Sequence, residues 1–267
     1  MTLLDKELFV LESPQSTQLD VYDANDYTSR GNIAIPQQLQ SNFVDIAACS
    51  FYRCIYIADV NNTRIVKLKL PSHTTTWKVD DINYNTVVSI TSSHYLLILC
   101  KAKVSNKLKL FSMDGELQKT VELQLDTAPL NSAVEQVPGQ YVATYGTSSG
   151  HLHRVCVVND DGKVLHAHGG FQGSYGTLMN SPGDVVIDKD GFVYVFGERN
   201  KCLIVLTPEL DYIHSIAFSV PSVEGCTTRD IQSLKIDEEL RHIYLRYSIQ
   251  NRCWQKFYRI TFFTLCL

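Results

Sequence analysis

No stretch of this chain approaches the ~18 consecutive apolar residues that a membrane helix needs. No segment of useful length places apolar residues at helical spacing, so an α-helical fold is excluded. Its eight cysteines (Cys49, Cys54, Cys100, Cys156, Cys202, Cys226, Cys253 and Cys266) contain no C-x-x-C pair. That absence removes the usual zinc-finger spacings and points to buried, reduced thiols of a cytosolic protein. The first residues carry Asp5 and Glu7 where a secretion signal would be apolar, so the expectation is a cytoplasmic chain with no membrane partner. Cys49 and Cys54 flank the turn Ser50–Arg53 of a predicted hairpin and can face each other across it. A disulfide between them requires matching Cβ directions. Asn61-Asn62-Thr63 is a glycosylation sequon, which carries little weight without a secretion signal.

What the chain has is repetition. A hydrophobic β-type run recurs at Leu8–Leu11, Ile55–Ala58, Leu96–Leu99, Tyr141–Thr144, Val193–Phe196 and Ile243–Arg246, at spacings of 47, 41, 45, 52 and 50 residues. Each run sits in the same grammar of strand, tight turn, strand, loop, strand, turn, strand. Four strands per ~40–50 residues is the pattern of a β-propeller blade. The expectation is one all-β domain over residues 1–267, a six-bladed β-propeller of four-stranded antiparallel blades. The terminal blades are irregular. Only Thr2–Leu4 can serve as the first inner strand, and the last outer strand is short or missing.

Blade five is the clearest copy. Ser181-Pro182-Gly183 opens it, and Lys189-Asp190-Gly191 makes an Asp-Gly turn between strands rich in β-branched and aromatic residues. Met113-Asp114-Gly115 and Asp160-Asp161-Gly162 are matching turns in blades three and four.

Two segments resemble NHL repeats. Ile55-Tyr-Ile-Ala-Asp-Val-Asn-Asn-Thr-Arg-Ile-Val-Lys67 is similar to the repeat's core, and Gly169–Gly176 followed by Ser181–Leu206 looks like a whole repeat. In blade two, Asp59 and Asn61 can hold the bend between strands, with Arg64 placed to pair with Asp59. Blade five departs from the pattern, with Gly197-Glu198 and Lys201-Cys202 at the Asp and Arg-Ile positions. The resemblance implies a platform for binding protein or single-stranded RNA, of the kind found in tripartite-motif proteins, with a minority of similar propellers being metal-dependent enzymes.

Charge is unevenly distributed. Residues 51–110 hold nine Lys/Arg and three acids, while the remainder holds 15 basic and 25 acidic residues. The first functional expectation is a non-catalytic module and protein-protein interaction scaffold, using the face where second-to-third-strand loops and blade-connecting loops converge. Arg64, Lys103, Arg199 and Arg252, with Tyr84 and Tyr175, are the residue types that dominate such interfaces. The second is RNA held by a basic patch of Lys67, Lys69, Lys101, Lys103, Lys107 and Lys109, with Tyr84 and Tyr95 stacking on bases. The third is a metal-dependent propeller lyase or hydrolase. Inner-strand acids Asp45, Glu135, Asp184 and Asp188 suit calcium. His151, His153, His166 and His168 form i, i+2 pairs that suit zinc if register puts them on one face. Gly146-Thr-Ser-Ser-Gly150 matches a nucleophile-elbow pattern, but a strand follows where a helix is required. The first reading carries no catalytic residue, cofactor, metal or small-molecule substrate, and hence no enzyme.

Overall fold

In the computed structural model, every run read as β from its alternation pairs with its neighbours in sequence. The structure describes residues 1–264 except 14, 71–72, 84–85, 102–105, 125–129, 147–151, 172–178, 198, 200, 218–225, 238–241 and 252–255. Side chains are described except for residues 73, 101, 171, 226–232, 247–251 and 256–264.

The chain divides into two compact units. The first is Met1–Gln124 with Val137–Gly139 and Asp160–Gly162, and the second is Leu125–Gln136, Gln140–Asn159 and Lys163–Leu267. In the first unit, blade one comprises β1 (Thr2–Leu4), β2 (Glu7–Val10), β3 (Gln18–Asp23) and β4 (Ser29–Ala34). Blade two comprises β5 (Phe43–Cys49), β6 (Cys54–Asp59), β7 (Arg64–Lys69) and β8 (His73–Lys78). Blade three comprises β9 (Val87–Ile90), β10 (Leu96–Lys101), β11 (Asn106–Phe111) and β12 (Leu117–Glu122).

In the second unit, blade four comprises β13 (Leu130–Val137), β14 (Gln140–Tyr145), β15 (Leu152–Asn159) and β16 (Val164–Phe171). Blade five comprises β17 (Pro182–Ile187), β18 (Val193–Gly197), β19 (Cys202–Leu206) and β20 (Tyr212–Ala217). A last sheet holds β21 (Cys226–Asp237), β22 (His242–Asn251) and β23 (Lys256–Thr264). All pairs are antiparallel meanders in sequence order, which is the blade architecture of a β-propeller. Among the described residues this gives five complete four-stranded blades rather than six. The chain after Asn251 supplies only one described strand, so the sixth sheet stops at three. The only helix among the described residues is the 3₁₀ turn Gln37–Leu39.

The second strands explain the continuous apolar runs. All six residues of β6 are buried because both faces of the sheet are covered. Ile55 and Ile57 pack with Phe9, Leu19 and Val21 of blade one. Cys54, Tyr56 and Ala58 pack with Val88, Leu96 and Ile98 of blade three. Blade five repeats the arrangement in the second unit. Val193 and Val195 pack with Val155 and Val157, while Tyr194 packs with Leu234, Ile243 and Leu245. Each buried Val, Leu, Ile or Phe among them contributes ~1.5–3 kcal/mol through burial.

Turn chemistry fixes the register. Asp188 Oδ1 accepts from the backbone N–H groups of Asp190 (3.0 Å) and Phe192 (2.9 Å), while Tyr194 Oη donates to Oδ2 at 2.9 Å. The predicted turn glycine Gly115 has φ +91°, and a Cβ there would lie 2.6 Å from the Trp77 ring, so the Trp77 side chain of blade two's outer strand closes against this turn.

Candidate functional site

Arg64, expected on a binding face, is drawn into the fold. It lies opposite Asp59 in the β6–β7 register, and its Nε donates to Asp59 Oδ2 at 2.7 Å. Asp59 is fully buried and also accepts from Asn62 Nδ2 (2.9 Å) and the Asn62 backbone N–H (3.3 Å). Burial alone would raise its pKa. Hydrogen bonds from Ser41, Asn62 and Arg64 outweigh that and hold the carboxyl below its ordinary value. Arg64 Nη2 further reaches the Leu39 carbonyl at 3.4 Å. These bonds lock the β6–β7 bend, the structural role that the sequence pattern suggests. Arg199 is an exposed turn residue whose backbone N–H donates to Asn180 O at 3.3 Å. Lys103, Arg252, Tyr84 and Tyr175 lie outside the described residues.

Three of the six lysines expected to form the basic patch are engaged. Lys67 Nζ donates to Met113 O at 2.7 Å and pairs with Asp114 Oδ1 at 3.1 Å. Lys107 pairs with Glu122 at 2.9 Å. Lys109, nearly buried, donates to Asp80 O and Asp81 Oδ2, both at 3.0 Å. Lys69 is exposed, the Lys101 side chain is not described, and Lys103 lies outside the described residues. Part of the basic excess read from sequence is thus offset in space by acids from neighbouring turns and strands.

In blade four the register Val155↔His168 and Val157↔His166 places His153, His166 and His168 on one face of the sheet. His151 lies outside the described residues, as do Thr147–Gly150 of the Gly146–Gly150 pattern. The three histidines do not converge. His153 is fully buried, and its Nδ1 accepts from the Ser181 N–H at 2.7 Å. His166 is exposed and stands four positions along the strand from His153, roughly 13 Å away. His168 stacks on Tyr212 with ring centroids 6.3 Å apart, and its Nε2 is buried without a hydrogen-bond partner. Burial lowers the His168 pKa, opposed by the nearby Asp211 carboxylate and a hydrogen bond with the Leu210 backbone. Among the described residues no three metal-ligating side chains cluster.

The inner-strand acids bind backbone amides between blades. Asp45 Oδ2 accepts from Val88 N at 2.9 Å, linking blades two and three. Asp184 does the same at the equivalent place in blade five, where its Oδ2 accepts from Leu234 N at 2.9 Å. Its Oδ1 accepts from Ser132 Oγ at 2.5 Å, so one carboxylate joins three successive inner strands. Asp188 caps its own turn as described, and Glu135 on β13 is half-buried.

The most exposed aromatic group lies at the opposite end of the blades, on the turns joining first and second strands. Phe51 is 68% exposed, Tyr52 43% and Tyr95 37%. Phe51 in blade two stacks on His94 in blade three, with centroids 4.4 Å apart and planes 13° from parallel. Tyr52 meets Phe51 edge-on at 4.8 Å and His94 at 6.1 Å. Arg53 beside them has a side chain 70% exposed, 3.5 Å from Asp5. Both turns are held in shape. Arg53 N donates to Ser50 O at 3.2 Å, and His94 N donates to Thr91 O at 2.9 Å. Arg53 (φ +48°) and His94 (φ +63°) occupy the left-handed region, a strain of order 1 kcal/mol each that the surrounding bonds maintain. Of this group only Tyr95 carries an expectation from sequence. Phe51 and His94 are 43 positions apart, and only the blade packing brings them together.

No family model and no curated protein sequence matches this chain. Solved structures do match in fold. One is the periplasmic gluconolactonase of Pseudomonas aeruginosa, with TM-score 0.64 and 12% identity over 96% of this chain and 82% of that one. Another is a Bacteroides caccae protein of unknown function, with TM-score 0.63 and 12% identity over 90% and 81%. A third is virginiamycin B lyase of Staphylococcus aureus with quinupristin, with TM-score 0.55 and 13% identity over 84% and 70%. The chain therefore has a β-propeller fold. The expectation that it is not an enzyme is corrected here. Propellers matching most of its length include ones named as a lactonase and a lyase, so the fold gives no ground for setting catalysis aside.

Proposed function

We propose that this chain is an NHL-like propeller that recognises a protein partner through the aromatic turns of blades two and three. The observation that carries this reading is the exposed Phe51 ring, stacked on half-buried His94 and edged by exposed Tyr52 and Arg53. Rigid aromatics with an adjacent arginine lose little side-chain entropy on binding and supply most of the energy at protein interfaces. The NHL-like character is supported by the Asp59–Asn62–Arg64 clamp in blade two. Protein is favoured over RNA because Lys67, Lys107 and Lys109 already hold acidic partners, which reduces the field available to phosphates. Phe51→Ala with Tyr52→Ala should remove partner binding while leaving the fold intact. Unchanged binding would overturn the reading.

A second reading is a propeller lyase or lactonase, and the comparisons favour it over the first. Solved structures of those names share the fold across most of this chain. Among the described residues no metal-ligating trio forms. Turnover of a lactone or a streptogramin by the purified chain, dependent on added divalent metal, would establish it. No turnover under either condition would remove it.

A further inference from the structure

The turn that presents Phe51 and Tyr52 is bracketed by two cysteines. Cys49 ends β5 and Cys54 begins β6, and the two are direct partners in the antiparallel register. Direct partners point to the same side of a sheet, with Cα atoms about 4.5–5.5 Å apart, inside the range a disulfide spans. The packing confirms the shared side, since both side chains belong to the cluster that blade two forms against blade three. Both are free thiols, 2% and 0% exposed. Only the four residues Ser50–Arg53 lie between them, and Phe51, Tyr52 and Arg53 stand in solvent.

We propose that Cys49 and Cys54 are a redox-responsive pair, whose cross-strand disulfide pins the Phe51–Tyr52 turn. The consequence for recognition rests on the aromatic-turn reading above, whereas the bond itself does not. The reaction is exchange with a small disulfide such as glutathione disulfide. One protein thiolate attacks a sulfur of that disulfide and releases one small thiol. The second protein thiolate then attacks the mixed disulfide and releases the other. The two cysteines lose two electrons, the small disulfide gains them, and the two thiol protons end on the two released thiols.

The surroundings make the pair slow and conditional rather than constitutive. Burial pushes the Cys54 thiol pKa up, opposed by its hydrogen bond with Tyr56 Oη at 3.1 Å. The attacking thiolate is therefore scarce until the exposed turn opens. Cys100 lies in the same cluster, and burial raises its pKa to about 11, so it competes poorly as a partner.

The test equilibrates the intact chain in glutathione/glutathione disulfide buffers of increasing oxidation, followed by alkylation and trypsin. Cleavage after Arg53 separates the two cysteines into fragments 31–53 and 54–64. Oxidation should lower the mass by about 2 Da and keep those fragments joined until reductant is added. Amide exchange over residues 50–53 should slow by about tenfold on oxidation. Cys49→Ser should abolish both effects while retaining the Cys54–Tyr56 bond. Fragments that never join, or Cys54 joined to Cys100, would overturn the proposal, as would cross-linking that leaves exchange unchanged. If the cross-link forms and slows exchange while Phe51→Ala leaves partner binding intact, the pair stands and the recognition reading falls.

Discussion

Phe51 and His94 stack across two blades, 4.4 Å between ring centroids, with Phe51 68% exposed and His94 half-buried. An exposed aromatic pair on strained, hydrogen-bonded turns adds little to folding, because the rings leave little apolar area covered. Replacing Phe51 and Tyr52 by alanine should change stability by no more than about 0.5 kcal/mol per site. The same change should weaken partner binding by about 2 kcal/mol or more, as loss of a central aromatic anchor does. Denaturant titration and a binding isotherm on one preparation check both halves.

Arg64→Ala should behave in the opposite way. It leaves the Asp59 carboxylate fully buried without its guanidinium, at a cost of about 3 kcal/mol. The melting temperature should fall by roughly 2–4 °C per kcal/mol lost. Because the Asp59 pKa is depressed on folding, its contribution is complete above the unfolded carboxylate value, ~3.9. It is lost as pH falls through the lower folded value. Asp59→Asn should therefore flatten the acid limb of the stability curve below about pH 4.

Much of this was legible in the sequence. The limits of β6 and β14 follow directly from their continuous apolar runs and from the turns beside them. The Asp59–Arg64 pair follows from their flanking positions on a tight bend. Partners distant in sequence were not legible. Lys67 looks like an exposed edge charge until Asp114, from the next blade's turn, is found beside it. The Phe51–His94 stack has no local signature either, since each residue alone reads as an ordinary turn residue.

Asp184 should prove to be a stitch between blades rather than a metal ligand. Asp184→Ala leaves the Leu234 amide and the Ser132 hydroxyl without their acceptor. The expected cost is about 1–3 kcal/mol for each group left unsatisfied. Amide exchange at Leu234 should accelerate, and added calcium should not restore it. Slower Leu234 exchange on adding calcium to the wild type, absent from the variant, would assign the carboxylate to a metal site instead.

His168 should give the chain a measurable loss of stability on mild acidification. Its folded pKa is depressed by burial below the ordinary histidine value, ~6.5, so the unfolded chain takes the proton more readily. Stability is then complete above that value and declines as pH falls beneath it. Asp211 opposes the shift and limits its size. Replacing His168 by Gln should remove this part of the decline between pH 7 and 5, read as the change in denaturant midpoint. An unchanged slope in the variant would place the effect elsewhere.

The most direct test of the account is site-specific photocrosslinking. A benzophenone amino acid is placed at position 51, and, as a control, at the exposed outer-strand residue Leu117. A defined protein adduct is expected from position 51, absent from position 117 and lost when Tyr52 and His94 are also replaced by alanine. Equal adducts from both positions, or adducts at position 51 only with nucleic acid, would contradict it.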